Sequence, residues 1–238
     1  MLSFNEILIS LFIFFLIYFY QKYVSFDVNE NKLGQDVIDE LDRHDHLVEN
    51  YFQKNKIEVH LNSFYTLTQS RFSKAYKLYI VEETGVNAMA LPGGIILLTS
   101  GLLSLFEEKE ITFSEIMGII SHEIGHLELE HHKKLMLQDL KKKYVNTQIQ
   151  TVSPFSQFGI KGMMQLFNKS MSREMEFEAD EYGTKLLLKS SLDSNSLLLA
   201  LIQLEKFSTF PEWAEILMSH PYMDKRIYNV NKLLKGIN

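Results

Sequence analysis

Residues 122–126 read His-Glu-Ile-Gly-His. Two histidines four positions apart lie on one face of a helix, so both imidazoles can reach a single metal ion. Glu123 sits beside that face, placed to hold the water such an ion binds and to take its proton. The plain alternative is a pair of polar helix residues with no ion between them. The preceding turns weigh against it: Ile116, Met117, Ile119 and Ile120 are apolar, so the motif lies on a buried helix. Buried imidazoles and a buried carboxylate need partners, and a metal supplies them. A catalytic zinc takes three protein ligands and keeps one position for water, so a third ligand must come from elsewhere.

The segment 172–180, Ser-Arg-Glu-Met-Glu-Phe-Glu-Ala-Asp, offers several carboxylates on a predicted helix. Glu176 and Asp180 share a face: one can bind the metal while the other accepts a hydrogen bond from the far nitrogen of a ligand histidine. Glu174 and Glu178 form a second pair at the same spacing on another face, and spacing does not choose between the pairs. Taken alone, the segment reads equally well as a solvated acidic helix. His131 and His132 follow the motif closely but fall at a charged helix end, where exposure is expected. His220 precedes Pro221, a common setting for a turn residue.

The elements that must position these groups come in two blocks. An amphipathic helix is predicted over Leu33–Phe52. Strand-like segments follow at Ile57–Leu67, Ala75–Glu82, Val86–Leu91 and Ile95–Thr99, with Pro92-Gly93-Gly94 as the clearest turn. Beyond Thr99 the pattern turns helical. Thr112 and Glu115 form a capping box that opens a helix from Phe113 to about Lys134. Further helices are predicted over Ser172–Leu188, Ser194–Phe207 and Met223–Leu234. Residues 143–170, with Phe155, Phe158, Met163, Met164, Leu166 and Phe167, read as a loop or lid. A small sheet followed by a helical bulk makes an α+β fold.

The chain has 238 residues, enough for one well-buried domain. A formal charge of −6 argues against nucleic acid as a partner. Lys133, Lys134 and Lys141 to Lys143 cluster, but among acidic residues, as at a solvated helix end. No cysteine is present, which excludes disulfides, thiolate metal sites and thiol nucleophiles. Residues 7–20 form an apolar run broken only by Ser10. Extended from Phe4 to Val24, it spans a bilayer, and Tyr18, Tyr20 and Tyr23 suit an interfacial belt. It lacks the basic start and small-residue end of a signal peptide, so residues 1–24 are expected to be a single uncleaved anchor, with 25–238 as the catalytic domain. Lys22 and Lys32 follow the span but are too few to fix which side of the membrane holds that domain.

These motifs together resemble the zinc endopeptidase family that includes the HtpX heat-shock protease and the CAAX prenyl proteases. HEIGH at 122–126 resembles the family's metal helix and SREMEFEAD at 172–180 its second one. NAMALPGGIILLTSGLL at 87–103 is similar to its strand and Gly-Gly hairpin, and SHPYMDKRI at 219–227, more weakly, to its His-Pro segment. The resemblance implies a zincin-like (gluzincin) domain, mostly helical with a small sheet, binding one Zn2+ per chain. It selects Glu176 as the third ligand beside His122 and His126, with Asp180 as the hydrogen-bond partner of a ligand histidine. It implies Glu123 as the catalytic base and His220 as an oxyanion donor or a resting-state ligand. Asn87, Ala88, Met89 and Ala90 would pair with an extended protein or peptide substrate by strand addition. The best-known members carry several membrane spans and this chain has one at most, which places it nearer a single-anchor or soluble branch. A catalytically silent tethered chaperone on the same fold is the rival expectation.

Overall fold

The computed structural model describes residues 30–44, 46–48, 54–135, 138, 171–206 and 214–237. The expected anchor (1–24) and the expected lid (143–170) lie outside the described residues. Among the described residues, no helix is long and apolar enough to cross a membrane.

The sheet has three strands: β1 (Lys77–Val81), β2 (Ala88–Leu91) and β3 (Ile95–Thr99), in the order β1-β3-β2. β3 is the centre, parallel to β1 with Lys77 opposite Ile95, and antiparallel to β2 with Ala88 opposite Leu98. The β2–β3 hairpin turns through Gly93 and Gly94 at φ of +83° and +75°, which side chains other than glycine seldom adopt. Residues 46–48 return alongside β1, where Val48 N–H donates to Ile80 O at 2.9 Å. This covers one edge of the sheet, and β2 forms the other.

The two-residue period of the strands sorts their side chains onto two faces. Met89, Leu91, Ile95 and Leu97 meet Leu33, Val37 and Ile38 of helix α1 (Glu30–Arg43). Ala88, Ala90, Ile96 and Leu98 face the main core. Helix α2 (Lys54–Thr68) enters that core through Ile57, Leu61 and Phe64. A strand was expected over 57–67, because Ile57, Val59 and Leu61 also alternate. Burial decides for the helix: Ile57, Leu61 and Phe64 are spaced four and three apart, and Val59 is 66% exposed. Helix α1 stops at Arg43, well before the predicted Phe52.

Helix α3 (Ser100–Glu107) follows β3 directly, capped by Thr99, whose hydroxyl accepts from Leu102 N–H. Helix α4 (Phe113–Glu128) opens on the expected capping box: Glu115 N–H donates to Thr112 Oγ1 at 3.2 Å and Thr112 N–H to Glu115 Oε2 at 2.5 Å. From Ile116 to Leu127 every residue of α4 is buried. Its neighbours are β2, α5 (Arg173–Lys189) and α6 (Ser196–Lys206). α7 (Ala214–Ser219) and α8 (Met223–Ile237) complete the bundle. α4 and α5 approach closely at two glycines. A methyl at Gly125 would meet Ala179 O at 2.7 Å, and one at Gly183 would meet the Ser121 backbone at 2.9 Å.

The predicted run of helix to Lys134 is broken at residues 129–130, and residues 131–135 resume as a separate short helical segment. α4 itself ends at Glu128, and Glu130 adopts a left-handed φ of +57°. Arg71 holds this bend, donating to Leu127 O from Nε and from Nη2, each at 3.2 Å, and to Glu130 Oε1 at 3.1 Å.

Candidate metal centre

α4 presents His122 and His126 side by side, their Nε2 atoms 2.9 Å apart. α5 brings Glu176 against them, with Oε2 3.6 Å from His122 Nε2 and Oε1 3.4 Å from His126 Nε2. The turn after α7 adds His220, whose Nδ1 lies 3.3 Å from both His122 Nε2 and Glu176 Oε1. One donor atom from each of these four buried residues lies within 4.8 Å of the others. Glu123 faces the same space from α4, with Oε1 3.5 Å from His220 Nε2.

Asp180, one turn beyond Glu176, accepts from His122 Nδ1–H at 2.9 Å. That contact sets the tautomer of His122 and leaves Nε2 as a bare acceptor facing the other donors. Arg226 of α8 binds two buried carboxylates of α5, Glu176 and Asp180. It donates from Nε and Nη2 to Asp180 at 2.8 and 2.7 Å, and its Nη1 stands 2.8 Å from Glu176 Oε2. Nη1 also donates to the His220 carbonyl at 3.3 Å, so this one side chain ties α5, α8 and the His220 turn together.

Electrostatics follow from burial and from this cation. Burial raises the Glu123 carboxyl above the ordinary carboxylate range, against the pull of His220 and His122. Burial would raise Glu176 and Asp180 too, but Arg226 overrides it and holds both below their usual values. Burial alone would lower His220, yet Glu176 and Glu123 raise it on balance. Burial, then His122, drives His126 well down, so its imidazole is neutral.

The donor set fits a divalent cation. Nitrogen and carboxylate acceptors converge in a buried space, and Glu123 Oε2, buried there, has no hydrogen-bond partner among the described residues. Two histidines and a glutamate are the donors of hydrolytic zinc sites. An apolar recess formed by Ile119, Leu197, Ala200, Leu201 and Ile216 adjoins Glu123 and His220.

One expectation is overturned here. His131 and His132 are buried, at 0% and 8% exposure, rather than solvated. The left-handed Glu130 turns the chain back, so that His131 Nδ1 lies 2.8 Å from His126 Nδ1 and His131 Nε2 lies 3.1 Å from Glu178 Oε2. Burial pushes His131 down to about 4 and His132 to about 3. Arg173 pairs with exposed Glu174, whereas Arg226 lies buried at the centre of the donor cluster. No signal in the sequence marked Arg226 for this role.

Asn87 to Ala90 lie along the sheet edge formed by β2, beside α4, and expose 7% or less. Asn87 exchanges bonds with Thr99: its N–H donates to Thr99 Oγ1 at 2.9 Å, and its carbonyl accepts from Thr99 N–H at 3.1 Å.

Several known proteins are similar to this chain. The chain is 31% identical over 141 residues to the metalloprotease LoiP of Escherichia coli, covering 55% of this chain and 51% of that protein. It is 27% identical over 172 residues to the mitochondrial metalloendopeptidase OMA1 of Bos taurus, covering 66% and 32%. It is 24% identical over 176 residues to the beta-barrel assembly-enhancing protease of Yersinia pestis, covering 64% and 33%. The chain thus spans about half, or a third, of the curated relatives it matches. The model of Peptidase family M48 matches residues 53–234, which takes in the sheet, both helices of the donor cluster and the His220 turn. This chain therefore belongs to peptidase family M48, whose cofactor is zinc.

Proposed function

We propose that this chain is a zinc-dependent endopeptidase that cleaves peptide bonds in unfolded or extended protein segments. One observation carries the reading: His122, His126 and Glu176 converge with Glu123 beside them in a buried space. His122, His126 and Glu176 would hold a zinc ion, which would supply Lewis acidity to a water and to the scissile carbonyl. Glu123, its carboxyl raised by burial, accepts the proton of the attacking water and delivers it to the leaving amine. His220, 3.5 Å from Glu123, donates a hydrogen bond to the developing oxyanion. Asp180 holds His122 in the tautomer that leaves Nε2 free, and Arg226 keeps Glu176 and Asp180 ionised.

β2 is the strand on which an extended substrate would pair, main chain to main chain, along Asn87 to Ala90. Its side chains are packed on both faces of the sheet, so the substrate would meet β2 through main-chain groups at its edge. The apolar run from Phe4 to Val24 supports single-pass attachment to a membrane, and with it a role in quality control or processing of membrane-associated proteins. The relatives named for mitochondria and for β-barrel assembly are compatible with such a setting.

A second reading has one specific support: His220 Nδ1 stands among the donors, where it closes the set at four. In that arrangement His220 is a resting-state ligand and the chain is latent.

The test is cleavage of an unfolded model protein by wild type, Glu123→Gln and His220→Ala, each zinc-loaded, with and without a chelator. Glu123→Gln should keep its zinc and lose about 10²- to 10⁴-fold in turnover, as removal of a general base does. Cleavage surviving both that substitution and chelation would sink the mechanism. A gain in activity in His220→Ala would identify the latent state, and a loss its role at the oxyanion.

A further inference from the structure

The two histidines on α4 are each backed by a carboxylate of α5, but by different routes. His122 meets Asp180 directly. His126 has no carboxylate at its Nδ1; it meets His131 at 2.8 Å, and His131 Nε2 meets Glu178 Oε2 at 3.1 Å. The protons along this row are determined by chemistry. An ionised carboxylate only accepts, so Glu178 takes a hydrogen bond from His131 Nε2–H. A neutral imidazole with its hydrogen on Nε2 has a bare Nδ1, which must accept from its neighbour. His126 Nδ1 therefore carries the hydrogen, and His126 Nε2 keeps its lone pair directed at His122 Nε2 and Glu176.

We propose that His131 and Glu178 form a positioning relay for His126, fixing its tautomer and ring orientation so that Nε2 is held ready for the metal; the inference rests on the metal reading above. The backbone is arranged for it. A continuous α4 would carry residue 131 around and away from the face of His126. The left-handed Glu130 turns the chain back, and Arg71 anchors that bend at Leu127 O and Glu130. His131 is fully buried, whereas Glu178 is 57% exposed, so the row runs from the donor cluster to the solvent-facing side of α5. Glu178 belongs to the acidic pair that spacing left undecided; it reaches the site through His131 and not as a ligand.

The test is zinc affinity by competition with a chromogenic chelator, with the visible spectrum of the Co2+-substituted protein as an independent reading of ligand geometry. His131→Leu should weaken zinc about 10- to 100-fold and alter the Co2+ bands, as loss of such an outer partner does. His131→Gln offers a carbonyl to His126 Nδ1–H and should recover most of the affinity, which a merely space-filling histidine would not predict. Glu178→Ala, at an exposed position where folding is not at stake, should weaken zinc about tenfold. Glu174→Ala, an exposed carboxylate on the same helix, should leave affinity and spectrum unchanged. Wild-type affinity and spectrum in Glu178→Ala, with or without a folded His131→Leu, would overturn the relay. His126→Ala separates the two levels: if it too binds zinc like wild type, the metal reading itself fails.

Discussion

Arg226 carries its charge at 2% exposure, and Glu176 and Asp180 share it. This single buried cation offsets only part of the charge of the two buried carboxylates, so their ionised state depends on it. Replacing Arg226 by Gln removes this cation and leaves two desolvated carboxylates beside Glu123. Removing one partner from a buried ion pair typically costs about 3–5 kcal/mol, because the other charge is left uncompensated. We expect Arg226→Gln to lower metal-free stability by that order in urea unfolding. Zinc should recover part of the loss, since it replaces the missing positive charge. An unfolding midpoint unchanged from wild type would mean that the carboxylates relax onto other partners.

At the scale of elements, the crossing of α4 and α5 decides whether ligands from two helices meet. Backbone contact at Gly125 and Gly183 allows Glu176 to stand within 3.6 Å of both α4 imidazoles. Gly183→Ala inserts a methyl where the Ser121 backbone is 2.9 Å away, and backbone cannot give as a side-chain tip can. Overpacking of this kind costs about 1–3 kcal/mol and is relieved by helix displacement. The expected outcome is a lower thermal midpoint together with reduced zinc content, read by calorimetry and metal analysis. Loss of stability with full zinc content would show that the helices separate away from the site.

For the whole molecule, the histidines buried behind the centre couple folding to pH. His131 and His132 titrate near 4 and 3 when folded, against about 6.5 in an unfolded chain. Between those values the unfolded state binds more protons than the folded one, so stability falls as pH drops from about 6.5 toward 4. A thermal midpoint measured on metal-free protein at steps from pH 7 to 4 should decline through that window. The decline should shrink in His131→Gln, and an unchanged slope would exclude His131 as a contributor. At the same scale, removing residues 1–24 should move the protein from the membrane pellet to the supernatant after high-speed sedimentation, and persistence in the pellet would count against the tether.

Much of this was legible from local pattern. The HEIGH spacing, the Thr112–Glu115 cap and the Pro-Gly-Gly turn are short-range features, and each depends on residues within a few positions of one another. The capping box opens α4 one residue after Thr112, and β2 and β3 lie within the predicted segments. Local pattern failed where two periods fit the same residues, as at 57–67, where burial against the sheet selects the helix. It failed again at Glu130, a single left-handed residue that no propensity requires and that Arg71, 59 positions earlier, holds in place. The sequence by itself determined which residue types were available for metal chemistry and which helix carries the first two. Only the tertiary structure decided that Arg226 pairs with Glu176 and Asp180, that His220 joins the donors, and that His131 backs His126. Those choices rest on side chains 5 to 104 positions apart meeting in one buried space, where desolvation makes every unpaired charge costly.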